Sequence, residues 1–271
     1  MRHVRSRIGE YEIELRELEN LLNVRKEERE AENPFYKLVF FDLDGVLYDK
    51  PWIESTDTKV AVSTWDVLFT DIKMYEVHEK LKQNYINGIY DYMGWTEAAC
   101  NVLKSLRLDR ETFQKVIASR PLSQGSYELL HQLHEKNIKT ALVTGSFEAL
   151  ATRASKELGG FDHIKAHCTL YFDENGFLEK WKLEPVDYVD KETFVKEIAS
   201  LEKIPLEKCA YVGDDVNDVD AFKNVGLAIA FNAKKLDVLK EADIIIESRD
   251  LMAIFPHLIH QREKIKPIKK E

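Results

Sequence analysis

Two aspartates one residue apart, Asp42 and Asp44, follow an apolar run of strand length at residues 36–41. The aromatic and β-branched composition of this run is typical of a buried strand, and Gly45 then lets the chain turn away. Ligands of open α/β sheets bind just beyond the carboxyl ends of the strands. The motif therefore predicts two carboxylates at a binding crevice, although an Asp-rich turn after a strand is an alternative that it leaves open.

Two further predicted strands also end in polar loops. Residues 209–212 precede the sequence Gly-Asp-Asp-Val-Asn-Asp at 213–218. Residues 139–143 precede Thr-Gly-Ser at 144–146, where hydroxyls and free backbone amides replace the carboxylates. Three strand ends thus carry complementary chemistry, and we expect them to meet at one site.

Four ordered motifs resemble the haloacid dehalogenase-like phosphohydrolases, and among these the phosphoserine phosphatase-like branch. They are Asp-Leu-Asp-Gly-Val at 42–46, Thr-Gly at 144–145, Lys191, and the acidic loop at 213–218. Lys191 stands at the family's usual distance ahead of the last motif, and the similarity runs from about residue 36 to about residue 255. Each motif alone is weak, but four in order at matching spacing are a specific signal.

The resemblance implies a role for each of these residues. The Asp42 carboxylate would attack phosphorus and form an aspartyl-phosphate, and Asp44 would protonate the leaving oxygen and then activate water. Lys191 would neutralise charge on the nucleophile and the phosphoryl group. The phosphate-binding residues are then Thr144, Gly145, Ser146 at a helix N-terminus, Lys191 and Asn217. The metal ligands are Asp42, Asp44 through its backbone carbonyl, Asp214 and Asp218.

A cluster of aspartates at one crevice requires a cation. Two like charges ~4 Å apart repel by about 4 kcal/mol at an effective dielectric near 20. Oxygen ligands alone favour a hard divalent ion, and Mg²⁺ is the usual choice where a phosphate also coordinates. Asp215 and Asp218 have a simpler alternative, because either side chain could cap the helix predicted to follow.

Composition limits the class of partner. The formal net charge of −9 argues against a nucleic-acid partner. No run approaches the ~20 apolar residues that span a bilayer, and no signal peptide is visible, so we expect a cytosolic protein. Three widely spaced cysteines without a C-x-x-C pair indicate reduced, mostly buried thiols.

The sequence predicts an α/β protein with a doubly wound parallel, Rossmann-like core, an inserted helical cap and an N-terminal helix. The predicted boundaries are 1–33 for the N-terminal amphipathic helix, 34–49 and 121–256 for the core, 50–120 for the cap, and 257–271 for a basic, solvated tail. The N-terminal helix carries only two heptads, so packing on the chain's own core and homodimer formation both stay open.

The segment predicted as the cap is rich in aromatic residues, most of which we expect in its own interior. Its periodicity predicts a bundle of helices rather than a sheet, with breaks at 87–88 and Gly94. Beyond it, strands alternate with helices, and Asn-Gly at 175–176 predicts a hairpin. Predicted helices are 96–106, 109–119, 126–136, 147–158, 191–201 and 219–224, and predicted strands are 139–143, 163–167, 209–212, 227–230 and 243–246.

These observations predict a Mg²⁺-dependent phosphomonoesterase that acts on a small phosphorylated metabolite. A phosphotransferase that passes the phosphoryl group from Asp42 to an acceptor hydroxyl is an alternative, and a non-catalytic binding module is disfavoured by the intact motifs. Phosphoserine phosphatases use a glutamate and a cap arginine for the substrate. In this sequence the region shortly after the first motif offers only one glutamate, Glu54, which is slightly displaced. No arginine lies between Arg29 and Arg107, so a strong preference for phosphoserine is not expected.

Overall fold

The computed structural model describes residues 34–50, 52–54, 59–61, 63–187 and 190–260. The predicted helix at 1–33 and the end of the tail at 261–271 lie outside these ranges. The described strands are β1 (Leu38–Phe41), β2 (Trp52–Glu54), β3 (Lys59–Ala61), β4 (Lys139–Phe147), β5 (His163–Phe172), β6 (Leu178–Leu183), β7 (Cys209–Gly213), β8 (Leu227–Phe231) and β9 (Ile244–Ile246). The described helices are α1 (Thr64–Asp71), α2 (Tyr75–Ile86), α3 (Tyr92–Ser105), α4 (Arg110–Ser119), α5 (Ser126–Glu135), α6 (Glu148–Glu157), α7 (Asp190–Leu201), α8 (Val219–Phe222), α9 (Leu236–Glu241) and α10 (Phe255–Ile259).

Seven strands form one sheet in the order β6-β5-β4-β1-β7-β8-β9. The first strand, β1, is central and pairs in parallel with β4 and β7, as the resemblance implied. Only β6 runs antiparallel, because the predicted hairpin folds it back on β5, and Gly176 takes a φ of +83° in the turn. The carboxyl ends of β1, β4 and β7 therefore lie side by side at one edge of the sheet.

Helices cover both faces of the sheet, which makes the fold doubly wound as predicted. Along β1 the side chains alternate, so Val39 and Phe41 join one buried cluster while Leu38 and Phe40 join another. The first cluster includes leucines of α5 and α6, and the second includes apolar residues of α7, α8 and α9. Both faces of β1 are buried, so packing on either side fixes the position of its carboxyl end.

The segment inserted after β1 is mainly helical, as predicted, with one short element that the sequence did not predict. Besides α1 to α4 it contains the antiparallel pair β2 and β3, in which Ile53 pairs with Val60. Contrary to the prediction, Gly94 does not break a helix, because it lies in the first turn of α3, where its amide donates to the Asp91 side chain that caps the helix. Buried residues of α1, α3 and α4 belong to the same apolar cluster as one face of the sheet.

The cysteines are free and buried, as predicted. The start of the predicted tail differs, since α10 extends to Ile259 and Leu258 is buried. In the part of the chain that the structure describes, every helix is too short or too polar to span a bilayer.

Candidate active site

Asp42 and Asp44 lie directly beyond β1, where both side chains are largely buried. The backbone amide of Asp42 donates to Val212 on β7 at 3.0 Å, which fixes the start of the loop. Gly45 follows with a φ of +96°, and a Cβ there would lie 2.4 Å from an Asp214 carboxylate oxygen. Glycine is thus required at this position both for the turn and for the close approach of the second acidic loop.

Lys191 joins the nucleophile candidate to the acidic loop. Its Nζ donates to Asp42 Oδ1 at 2.7 Å and to Asp218 Oδ1 at 2.8 Å, and all three side chains are buried. Burial raises the pKa of Asp42 well above its usual range, although the Lys191 charge opposes this effect. Burial alone would lower the pKa of Lys191, but the charges of Asp218 and Asp42 raise it well above its ordinary value. Lys191 is therefore held as a cation beside Asp42.

The carboxylates of Asp42, Asp214 and Asp218 form a set of hard oxygen donors. Their oxygens lie within 4.8 Å of one another. Within the described ranges, the buried Asp214 Oδ1 accepts no hydrogen bond, and burial raises the pKa of Asp214 to about 7 against the pull of Lys50. A cluster with an unused oxygen and a pKa raised by burial fits a divalent cation such as Mg²⁺. These are three of the four predicted metal ligands.

The acidic loop folds as a short 3₁₀ turn, Val216–Asp218, and uses two of its aspartates structurally. Asp215 caps this turn, as the simpler alternative proposed, and also binds Lys235. Asp218 accepts from the amides of Asp214 and Asp215 as well as from Lys191. Asp218 therefore both shapes the loop and contributes to the acidic cluster.

The Thr-Gly-Ser segment lies at the same edge, but its local structure differs from the prediction. The strand does not end at residue 143, because β4 continues to Phe147 through an irregular pairing, and α6 begins only at Glu148. Ser146 is therefore not at the helix start, and its amide donates to Thr144 Oγ1 at 3.1 Å. Asn217, the remaining predicted phosphate-binding residue, donates to Asp187 Oδ2 at 3.2 Å.

Asp44 has two partners that sequence reasoning missed. Its Oδ1 accepts from Thr64 Oγ1 at 2.7 Å and from an Arg120 guanidinium nitrogen at 3.1 Å. Arg120 is 1% exposed and also donates to the carbonyl of Asp49 at 3.0 Å. Thr64 starts α1 and Arg120 follows α4, so both partners belong to the inserted segment. No local pattern marks these pairings, because the partners are 20 and 76 residues apart.

The inserted segment also contacts the Thr-Gly-Ser segment directly. Trp65 Nε1 and the Tyr92 hydroxyl each donate to the carbonyl of Gly145 at 3.2 Å. Together with the strand ends, these residues line a cavity of about 230 Å³ that is open to solvent on one side. From the sheet side it is lined by Asp42, Asp44, Thr144, Gly145, Ser146 and Asn217. Pockets for drug-sized ligands measure about 300–1,000 Å³, so this one suits a smaller molecule.

Arg107 and Arg110 do not reach this cavity. Arg107 stacks on Phe177 with its guanidinium carbon 4.2 Å from the ring centre, and Arg110 lies over Phe172. Both rings belong to the β5–β6 hairpin region. Neither arginine is therefore placed to bind a substrate in the cavity.

The fold and the site together define an α/β enzyme of the hydrolase type with an inserted segment that covers carboxylates at the central strand. The family model for haloacid dehalogenase-like hydrolases matches residues 36–226, and the chain belongs to this family.

Relatives and solved structures agree with this assignment. A phosphoserine phosphatase of Methanocaldococcus jannaschii is 29% identical over 225 residues, 82% of this chain and 97% of that protein. One from Archaeoglobus fulgidus is also 29% identical, over 80% of this chain and 58% of its own length. A substrate-bound phosphoserine phosphatase structure matches with a TM-score of 0.67 and 27% identity, over 82% of this chain and 98% of its own.

Proposed function

We propose that this chain hydrolyses a small phosphomonoester through an aspartyl-phosphate on Asp42. The observation that carries the proposal is the contact of the Lys191 ammonium with Asp42, at the end of β1 and beside Thr144 and Gly145. The similarity to phosphoserine phosphatases across 82% of the chain supports a small phosphorylated metabolite as the substrate. A solved structure of a phospho-aspartyl intermediate analogue, 27% identical to this chain, supports the same chemistry.

Magnesium is the cofactor that the donor set fits. Asp42, Asp214 and Asp218 would hold it together with the backbone carbonyl of Asp44. When bound there, Mg²⁺ would neutralise charge on the carboxylates and on the phosphoryl oxygens.

The residues of this chain divide the remaining work. Asp42 attacks phosphorus, Lys191 neutralises the charge that gathers on the transferred group, and the Thr144 segment orients it. Asp44 Oδ1 already accepts from Thr64 and Arg120, so we assign the proton for the leaving oxygen to Oδ2, whose one hydrogen bond from the described residues comes from the Thr64 amide at 3.3 Å. The same atom then takes a proton from the attacking water.

Two alternatives to a hydrolase, a phosphotransferase and a non-catalytic binding module, are less well supported. Transfer to an acceptor hydroxyl is not favoured by the relatives, which are named phosphatases. A binding module without catalysis would have no need for the buried Lys191–Asp42 pair. The cytosolic location and a dimer through residues 1–33 stay predictions.

The decisive experiment is hydrolysis of p-nitrophenyl phosphate with Mg²⁺, followed by acid quench and peptide mass spectrometry. We expect turnover, and we expect the phosphate on the peptide that contains Asp42. Added alcohols should leave the yield of inorganic phosphate unchanged, whereas a phosphotransferase would form new esters. Turnover with the phosphate on another residue would contradict the mechanism.

A further inference from the structure

The Thr-Gly-Ser segment lies where the regular pairing of the sheet is interrupted. On one side, β4 pairs with β5 regularly as far as Thr144 and again at Phe147, and the register shifts between them. Gly145 and Ser146 have no paired residue on β5. On the other side, β1 pairs with β4 only as far as Leu142. The regular ladder therefore does not extend through the segment that binds phosphate under the proposed function.

The inserted segment contacts the chain at this interruption. Trp65 Nε1 and the Tyr92 hydroxyl both donate to the carbonyl of Gly145, each at 3.2 Å. The Trp65 ring also packs on Phe147, with 4.2 Å between the ring centres, and both side chains are buried. The inserted segment is thus attached to the chain on either side of Ser146.

Both groups are dependable donors to this carbonyl. An indole nitrogen can only donate, and a carbonyl oxygen has lone pairs for two donors. Burial and the negative charge of Asp187 raise the pKa of Tyr92 well above its usual value, so its hydroxyl keeps a proton to donate. The two contacts therefore restrain the orientation of the Gly145 carbonyl together.

The orientation of this carbonyl determines that of the Thr144 side chain. The carbonyl of Gly145 and the amide of Ser146 belong to one planar peptide group. That amide donates to Thr144 Oγ1 at 3.1 Å. Because Oγ1 accepts there, the Thr144 hydroxyl must donate its own proton in another direction, and Thr144 lines the cavity together with Asp42. A fixed peptide group therefore keeps this hydroxyl in place as a donor.

We infer that Trp65 and Tyr92 are positioning residues for phosphate binding. They hold the peptide group between Gly145 and Ser146, so that Thr144 donates to a phosphoryl oxygen. This inference rests on the proposed phosphatase function and deepens it. The inserted segment would help to bind the phosphoryl group itself, whatever alcohol is attached to it.

The first test uses inorganic phosphate, which has no alcohol part. Titration calorimetry of the full chain with Mg²⁺ gives its dissociation constant. Trp65→Phe and Tyr92→Phe each keep a ring but remove a donor, and each should raise this constant about threefold, because the carbonyl keeps its other partner. The double variant should raise it about thirtyfold, more than the product of the two single effects, because the carbonyl then loses both donors.

The matched controls are Trp95→Phe and Tyr85→Phe. Both residues line the same cavity and undergo the same chemical change, and neither donates to the Gly145 carbonyl among the contacts that the structure describes. They should keep the native dissociation constant for phosphate. A role in stability alone would lower the thermal midpoint of Trp65→Phe and Tyr92→Phe and leave phosphate binding by the folded protein unchanged, which would contradict the inference.

The second test compares p-nitrophenyl phosphate with glycerol 2-phosphate, whose alcohols differ. In Trp65→Phe and Tyr92→Phe, KM should rise for both esters by the factor found for inorganic phosphate. A rise for one ester only, with phosphate binding unchanged, would assign the two residues to the alcohol and overturn the inference. If the native chain neither binds phosphate nor hydrolyses any ester, the proposed function fails, and the inference fails with it.

Discussion

The two sides of the cavity are held together by different kinds of interaction. The sheet side is made of strand ends, and its side chains meet in charged contacts such as that between Lys191 and Asp42. The inserted segment contributes aromatic rings and single neutral hydrogen bonds, such as that from Trp65 to Gly145. Under the proposed function, the sheet side would perform one reaction regardless of the alcohol, and the inserted segment would decide which alcohol fits. Substitutions on the sheet side should accordingly lower kcat, whereas substitutions in the inserted segment should mainly change KM.

The largest effect is expected at the nucleophile on the sheet side. Asp42→Asn should lower kcat by about a thousandfold or more, because the amide cannot form the acyl phosphate. The thermal midpoint should change little, since the amide keeps the volume and an oxygen for Lys191. Asp220→Asn, an exposed aspartate on α8, is the control and should retain full activity. Native rates in Asp42→Asn would show that the sheet side does not supply the chemistry.

Metal removal should act on the same side. Excess chelator should abolish turnover, and Ca²⁺ should inhibit because it prefers more ligands at longer distances. Mg²⁺ at 100 times its dissociation constant should raise the free energy of unfolding by about 2.7 kcal/mol. Asp214→Asn should lose most of that stabilisation. Equal unfolding curves for the native chain with and without Mg²⁺ would argue against a metal at Asp214.

Arg120 belongs to the junction of the two sides, and its loss should reduce stability. Arg120→Met leaves the buried Asp44 carboxylate without its cation, which costs about 3–5 kcal/mol in comparable buried pairs. The measurement is urea denaturation. The control is Arg107→Met, which removes an exposed cation stacked on Phe177 and should cost about 1 kcal/mol or less. Similar losses in both variants would mean that Arg120 does not compensate Asp44.

The smallest effect should come from one hydrogen bond of the inserted segment. Trp65→Phe keeps a ring but removes the donor to Gly145, and should cost about 0.5–1.5 kcal/mol and raise KM more than it lowers kcat. Trp95→Phe is matched, because the Trp95 Nε1 is buried without a partner among the described residues. The difference between the two variants isolates the hydrogen bond. Equal KM values for Trp65→Phe and Trp95→Phe would show that the hydrogen bond from Trp65 to Gly145 does not contribute to substrate binding.

Sequence patterns brought most of the sheet side into view because its acidic residues come directly after β1 and β7, and Thr144 lies near the end of β4. Asp42, Thr144 and Asp214 needed only the rule that parallel strands end at one edge, and the structure brings them together. Lys191 was predicted from its distance along the chain to the acidic loop at 213–218, which matches the family's usual spacing. The exact path of the chain at 144–147 was missed, because a strand that continues irregularly has the same composition as one that stops.

The inserted segment could not be predicted to the same depth. Side chains of this segment become part of the site only through the way distant segments pack, and no periodicity specifies that packing. The side chains concerned are those of Thr64, Trp65, Tyr92 and Arg120. Trp65 and Gly145, for example, are 80 residues apart. The sequence between β2 and β3, Ser-Thr-Asp-Thr at 55–58, contains no glycine, so the usual sequence signal of a hairpin is missing.

The inserted segment leaves and rejoins the core at adjacent points. The Asp49 amide donates to the Pro121 carbonyl at 3.1 Å, and the Ser123 amide donates to the Leu47 carbonyl at 2.9 Å. When the two ends of an inserted segment lie side by side, the entropic cost of closing the loop grows by only about 0.6 kcal/mol for each doubling of the segment's length. A longer or shorter inserted segment should therefore cost little stability, while the strand register that positions Asp42 stays untouched.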